Sequence, residues 1–436
     1  MKDDAGNPVT LAELRKEKAG ATTTGIRSPY RQAMAPNMKP ERMARILRAA
    51  DDGDTDAYFT LAAEIEERDL HYGAVLTMRK FGVTSIPATI QAATEKRRDV
   101  KIAEDVQGLV SEPAFNELVF HVLDALGKGI SFTEIIWESS ASQWRPSRYE
   151  PRDQRWFTWD SNDLRTPLLK SDERPNGEPL APFKWIVHTP LIGTNLPMRA
   201  GLARAAIIAW CLKSYTASQW MQFLEVYGMP LRVGKYPDGT KQEDRDALRE
   251  AIATLGSDAA GIIHEKTSIE FIATNARGGA EAFLMTVEYW DKQISKRVLG
   301  QTMTTDEGTG RGKAQAATQE KQEMKINRHD AARVAATLRA QLITPYVRLN
   351  YGDTALVPGI KIETKTATEI DVELTNIERL VKLGGRVEEA YVRDLLSLPE
   401  PAEGATLLTV SASPAAVADP NAPQGPAVTD PGAGNA

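Results

Sequence analysis

The sequence predicts an α+β chain, mainly helical, in which two long amphipathic helices bracket a small α/β insertion. Three observations carry that expectation. Apolar residues recur at helical spacing over residues 202–227, 280–299 and 314–342. Between the first two, Leu231 to Arg277 alternates short β-branched runs with one helical stretch. The residues before 200 mix helical stripes with short apolar and aromatic strands.

In chain order, residues 1–40 are polar, with Thr22-Thr-Thr-Gly25 and prolines at Pro29, Pro36 and Pro40, and read as an extended arm. Helical signals begin at Pro40-Glu-Arg-Met-Ala-Arg-Ile-Leu and resume, after an Asp-rich turn, from Tyr58 to Asp69. The tract Glu64-Ile-Glu-Glu-Arg-Asp69 reads as a solvated face. Further helices are expected at 72–83, 99–110 and 114–127, with strands at Ser85–Ala92 and Ile130–Glu138. Trp144 to His188 is crowded with aromatic residues, and Pro175-Asn-Gly177 marks a turn between strands. A base-stacking surface is the alternative to a small sheet packed on helices, and the sheet is the reading preferred.

Helix 202–227 carries two apolar stripes. Leu202, Ala209, Leu212, Thr216, Gln219, Phe223 and Val226 form one, and Trp210, Ala217, Trp220, Leu224 and Tyr227 the other. Such a helix must be covered on two sides, by its own domain and by another subunit. Gly228-Met-Pro230 ends it. The insertion reads strand (Leu231–Lys235), turn (Pro237-Asp-Gly239), helix (Gln242–Leu255), then strands Gly261–His264 and Ser268–Ala273. In the second long helix Phe283, Val287, Trp290, Ile294 and Val298 form the stripe, and Gly300 is the αL stop. After the glycine-rich segment 301–313, Met324, Ala331, Val334, Leu338 and Leu342 mark one face of a third helix, which Pro345 is expected to stop. Leu374–Leu383 and Val387–Leu396 form a helical pair hinged at Gly384-Gly385. Residues 411–436 are low-complexity and expected to be disordered.

Composition narrows the function. Of 436 residues 42% are hydrophobic and 26% charged, ordinary for a soluble globular protein, and the net charge of −6 argues against a duplex-DNA binder with a general basic surface. The single cysteine, Cys211, precludes an intrachain disulfide framework and reads as a buried structural thiol. The start of the chain has no apolar h-region, and the longest apolar run, Ala205 to Leu212, is far short of a membrane span. A soluble, intracellular protein without membrane contact is expected.

No spacing for a zinc site, nucleophile elbow, redox pair or EF-hand occurs, so neither metal nor cofactor is expected. The pair His329-Asp330 could join a base to its orienter, but an exposed helix face accounts for it better. Gly308-Thr-Gly-Arg-Gly-Lys313 suggests phosphate binding, yet Glu307 stands where a P-loop needs its first glycine and Ala314 where it needs a hydroxyl. A helix, not a strand, precedes the loop. No enzyme is expected.

Three strings, Leu70-His-Tyr-Gly-Ala-Val-Leu-Thr-Met-Arg-Lys80, Glu225-Val-Tyr-Gly-Met-Pro-Leu-Arg-Val-Gly-Lys-Tyr236 and Ile294-Ser-Lys-Arg-Val-Leu-Gly-Gln-Thr-Met-Thr-Thr305, resemble the portal proteins of Mu-like phages. The resemblance spans roughly residues 40–405. It implies an elongated protomer: a wing (41–200), a first stem helix (201–228), a clip (229–278) and a second stem helix (279–300). A tunnel loop (301–313), a long wing-to-channel helix (314–343), a C-terminal wing or crown segment (344–400) and a tail (401–436) follow. It implies a ring, usually a dodecamer, at a capsid vertex, through which double-stranded DNA is packaged and ejected. Its partners would be the terminase large subunit, the major capsid protein or scaffold, and a head–tail adaptor. The protein would reside in the virion, and in host cytoplasm during assembly.

On this resemblance Thr304, Thr305, Asp306, Glu307, Gly308, Thr309, Gly310, Arg311, Gly312 and Lys313 would face the DNA. Two cations offset two acids there, so contact would be weak and salt-sensitive. Trp210, Trp220, Phe223, Tyr227 and Trp290 would form the stem's subunit interface, and Pro237, Asp238, Gly239 and Lys241 the clip's contact with motor or adaptor. Rival classes are a nucleotide-dependent packaging motor or nuclease, opposed by the failed P-loop and missing metal cluster, and a head or tail structural protein without a channel, such as an adaptor.

Overall fold

The computed structural model describes residues 2–398, apart from 4–5, 31, 37, 141–142, 194–195, 228–231, 255–259, 265–275, 302–312, 364–366 and 397. The chain divides into Met1–Thr364 and a smaller unit, Lys365–Ala436. The first unit opens with α1 (Leu11–Leu14), α2 (Pro40–Asp51), α3 (Asp56–Arg68), α4 (Leu70–Thr84) and β1 (Ala88–Gln91). Next come α5 (Arg97–Val110), α6 (Pro113–Val122), α7 (Ala125–Lys128), β2 (Ser131–Ser139) and β3 (Trp144–Arg152). Short strands β4 (Phe157–Trp159), β5 (Pro167–Leu169), β6 (Glu178–Pro179) and β7 (Trp185–His188) lead to α8 (Pro197–Ala200). Then follow α9 (Ala203–Tyr227), β8 (Arg232–Tyr236), α10 (Gln242–Thr254), β9 (Ala260–His264), α11 (Ala276–Leu299) and α12 (Lys313–Leu338). A π-helical turn (Arg339–Ile343), α13 (Thr344–Tyr351) and β10 (Gly359–Ile362) close the unit. The second unit holds α14 (Ala367–Lys382) and α15 (Glu389–Leu395). The architecture is α+β and mainly helical, as the periodicities indicate.

Each sheet is small. β2 lies between β3 and β7, both antiparallel to it, β1 pairs with β10, and β4, β5 and β6 form a third group. β8 and β9 are parallel, which requires a crossover, and α10 supplies it. The aromatic run 144–188 goes largely to the core: Phe132 stacks on Phe157 at 3.7 Å between centroids, and Trp185 meets Phe157 edge-on at 5.5 Å. The turn at 175–177 joins β5 to β6, with Gly177 at φ +86°.

Several expectations need correction. The arm is not a free extension. Leu14, Ala19, Ala35 and Met38 are buried, and two carboxylates hold its backbone. The amides of Lys18 and Ala19 donate to Glu134 (2.6 and 3.0 Å), and those of Met34 and Ala35 to Glu64 (2.6 and 2.7 Å). The tract 64–69 is therefore no solvated face: Glu64, Ile65 and Asp69 are buried. Asp69 caps α4, accepting from the amides of His71 (3.1 Å) and Tyr72 (2.9 Å). The helix expected at 114–127 breaks between α6 and α7, where the Asp124 carboxylate gathers Lys128 (2.7 Å), Gln154 (2.8 Å) and Lys80 (3.5 Å).

Pro345 does not stop the third long helix. The chain stays helical to Tyr351, because the π-helical turn loosens the ladder just ahead of the proline. The Thr344 amide reaches back five residues to the Arg339 carbonyl, and the Thr344 hydroxyl donates to the same oxygen at 2.8 Å. Pro345 then occupies an N-terminal helical position, where a missing N–H is harmless. In the second unit, α14 starts at Ala367, ahead of the expected Leu374, and Gly384 takes the left-handed conformation of a helix stop, φ +85°. The strand expected at 268–273, the tunnel loop and the tail 401–436 lie outside the described residues.

Candidate functional site

α9 and α11 run antiparallel against one another. Near the ends of the pair that lead into the insertion, Phe223 meets Phe283, 5.6 Å between centroids. At its middle Lys213 reaches Asp291, and at its base Ile294, Val298 and Leu299 join Leu202, Ala206 and Ile207 in the core. Gly300 ends α11 at φ +71°, as read from the sequence. The start of α9 is set by close backbone packing. The Leu202 amide donates to the Leu126 carbonyl at 2.9 Å, and any side chain at Gly201 would strike the backbone of Gly127 and Gly129.

From its middle to its base the pair is fixed by charge. Lys213 lies between two carboxylates, 2.6 Å from Asp69 and 2.7 Å from Asp291, so one ammonium ties the cap of α4 to α9 and α11. His71 Nε2 lies 2.6 Å from Ser295 Oγ. Deeper still, Arg79 forks onto Asp330, Nε to Oδ2 at 2.7 Å and Nη2 to Oδ1 at 3.1 Å, and gives Nη1 to the Val298 carbonyl at 2.6 Å. Both partners of this ion pair are buried, which corrects the expectation that the His329-Asp330 pair lies on an exposed face: His329 is exposed, Asp330 is not. Partners 251 residues apart draw the carboxylate inward, and buried charges persist only when paired in this way.

Two clefts flank the pair. One of about 640 Å³ is lined by Leu70, Ala74, Trp210, Lys213, Ala217 and Val287; another of about 290 Å³ by Leu202, Ala209, Trp290, Ile294 and Val298. Burial pushes the Cys211 thiol upward, so it is a quiet structural group as expected. Among the described residues no cluster of metal-ligating side chains forms, and no helix is long and apolar enough to cross a membrane.

The family model for the portal protein of Mu bacteriophage matches residues 59–398. The chain belongs to the Mu portal protein family. Membership makes it a portal of a phage capsid vertex. It is 29% identical over 381 residues to the portal protein of Escherichia phage Mu, covering 85% of this chain and 73% of the relative. It is 28% identical over 419 residues to the Mu-like prophage FluMu protein gp29 of Haemophilus influenzae, covering 94% and 80%. Among solved structures it resembles the neck of an empty gene transfer agent particle, with TM-score 0.44 and 14% identity over 86% of this chain and 97% of that one.

In this portal chain Trp210 is buried, while Trp220, Phe223 and Trp290 are half-buried along the helix pair. Tyr227 ends α9, but its side chain lies outside the described residues. Pro237, Asp238 and Gly239 form the turn after β8, where the Thr240 hydroxyl donates to the Pro237 carbonyl at 2.7 Å, and Lys241 is exposed beside it. Residues Thr304 to Gly312 lie outside the described residues, and Lys313 opens α12. Sequence reading did not single out Asp69, His71, Arg79, Lys213 or Asp291, and placed Asp330 on an exposed face. Two of the three strings that carry the resemblance held the signal, since His71 and Arg79 of the first meet Ser295 and Val298 of the third.

Proposed function

We propose that the protein works as a ring of identical portal subunits, with α9 and α11 as the stem and the following segment, 301–313, lining the passage for double-stranded DNA. The carrying observation is the unpartnered apolar surface of the helix pair. Ile208, Tyr215, Met221 and Leu224 of α9, with Leu284, Met285 and Tyr289 of α11, are exposed large hydrophobics. So many exposed large apolar side chains on one helix pair mark an interface. Neighbours in a closed ring would cover it without leaving a free face. The Pro237–Gly239 turn, with Lys241, is the surface offered to the terminase large subunit and later to a head–tail adaptor. Capsid protein or scaffold would meet the wing, and DNA would pass without any catalysis by this chain. Imaging of the purified full-length protein tests the reading. Closed rings with an axial hole wide enough for a duplex are expected; monomers or open filaments at assembly concentrations would sink it.

A further inference from the structure

Arg79, a buried cation of α4, satisfies a helix end that is not its own. In an uninterrupted helix the Val298 carbonyl would accept the amide four residues on. Here α11 ends at Leu299, Gly300 turns left-handed, and Arg79 Nη1 takes the Val298 carbonyl instead, at 2.6 Å. The same guanidinium is forked onto Asp330 of α12. A single planar group thus fixes the last turn of α11 to the middle of α12, while its own stem is buried in α4. Two neighbouring contacts reinforce the fit: Gln301 is buried with its Nε2 3.2 Å from Glu323, and a side chain at Gly300 would press on Ile326.

We propose that Arg79 is a positioning residue: it sets where α11 stops and how that end is registered against α12, and so determines where the chain enters its passage-lining segment. This rests on the portal reading above. The chemistry of the group suits the task. Lysine could keep the charge opposite Asp330, but a single ammonium cannot span a carboxylate and a carbonyl in the fixed fork geometry of a guanidinium. Stability alone does not demand this arrangement, because a buried ion pair is commonly replaceable by apolar residues of similar size at little cost. The geometry of the helix end would not survive that replacement.

The test uses full-length protein carrying Arg79→Lys, with Arg79→Met/Asp330→Leu as a second variant that buries no lone charge. Two readouts are taken on each: amide exchange at residues 298–301 in assembled rings, and the genome packaged per particle. Rings at wild-type yield, exchange at those residues at least tenfold faster, exchange in α9 unchanged, and packaging down at least tenfold are expected. Exchange unchanged in both variants would show that Arg79 does not hold the helix end. Faster exchange with wild-type packaging would show that the end's position does not matter. Loss of rings in both variants would make Arg79 an assembly residue and overturn the assignment. Failure of the wild-type protein to form rings would instead remove the portal reading, a separate outcome visible before any variant is made.

Discussion

His188 offers a sharp test of how β7 and α12 are packed together. It ends β7, opposite Ser131 of β2, and its Nδ1 lies 2.8 Å from the Thr337 hydroxyl of α12. Burial, followed by the nearby charge of Arg333, holds its pKa down to about 4, against 6.5 for an unconstrained histidine. Above pH 6.5 the ring is neutral in the folded and unfolded states alike, so its contribution to stability is fully present. As pH falls from 6.5 toward 4 the unfolded chain takes up a proton that the folded chain refuses, and stability is lost through that window. By pH 4.5 most of a loss on the order of 3 kcal/mol has accumulated, and the effect levels off below pH 4, where both states are protonated. His188→Gln keeps a group able to bond Thr337 but cannot titrate. Denaturant unfolding of both proteins at pH 7 and pH 4.5, at one protomer concentration, isolates the contribution of His188 from all other acid effects. The wild type should lose on the order of 2–3 kcal/mol more than the variant between the two pH values. Equal losses would refute the reasoning and mean that the folded ring accepts its proton with ordinary affinity.

Replacing Lys213 by Met should destabilise the protein by about 3–5 kcal/mol, because Asp69 and Asp291 would then face one another without their shared cation; equilibrium unfolding measures it, and a loss below about 1 kcal/mol would mean water screens the pair. Trp220→Ala should impair ring formation as well as protomer stability, since the side chain is half-buried on the helix pair with its indole N–H enclosed and unbonded. Sedimentation velocity beside thermal unfolding separates the two effects, and normal rings of normal stability would place Trp220 on a surface no neighbour uses. Phosphate release from nucleoside triphosphates by the isolated protein should stay at background, because Glu307 and Ala314 replace the residues a P-loop requires; turnover abolished by Lys313→Ala would contradict this.

The long elements were legible because they answer to local rules. The 3.6-residue stripe gave α9, α11 and α12, the glycine after Leu299 gave the end of α11, and the turn at Pro237-Asp-Gly239 separated β8 from α10. Failures cluster where a charged residue's fate depends on a distant partner. Glu64 is followed by acidic and basic neighbours and looks solvated, yet backbone amides of the arm recruit it. Asp330 sits in a polar-looking stretch, and only Arg79 of another helix reveals it as core. Nothing in a window of sequence announces those pairings. Pro345 misled for a different reason: proline forbids one hydrogen bond, and a π-helical turn removes the need for it.

The placement of the buried charges explains why the helix pair can be left so bare beyond them. At its base α9 is mostly covered, with Ile207 0% and Trp210 7% exposed though Ile208 is 41%, while further out Tyr215 is 56% and Met221 53% exposed. α11 returns through the same gradient, from Met285 at 68% to Ile294 at 3%. Two helices alone cannot cover each other on all sides, so the outer half contributes little to holding itself upright. Lys213, His71 and Arg79 act on the inner half, tying α11 to α4, α9 and α12 at three successive levels. The pair is therefore fixed where the protomer can fix it and unfinished where the proposed neighbours would complete it. A fully self-sufficient stem would need its apolar residues turned inward, and would then offer adjoining subunits only a polar face with little surface to bury.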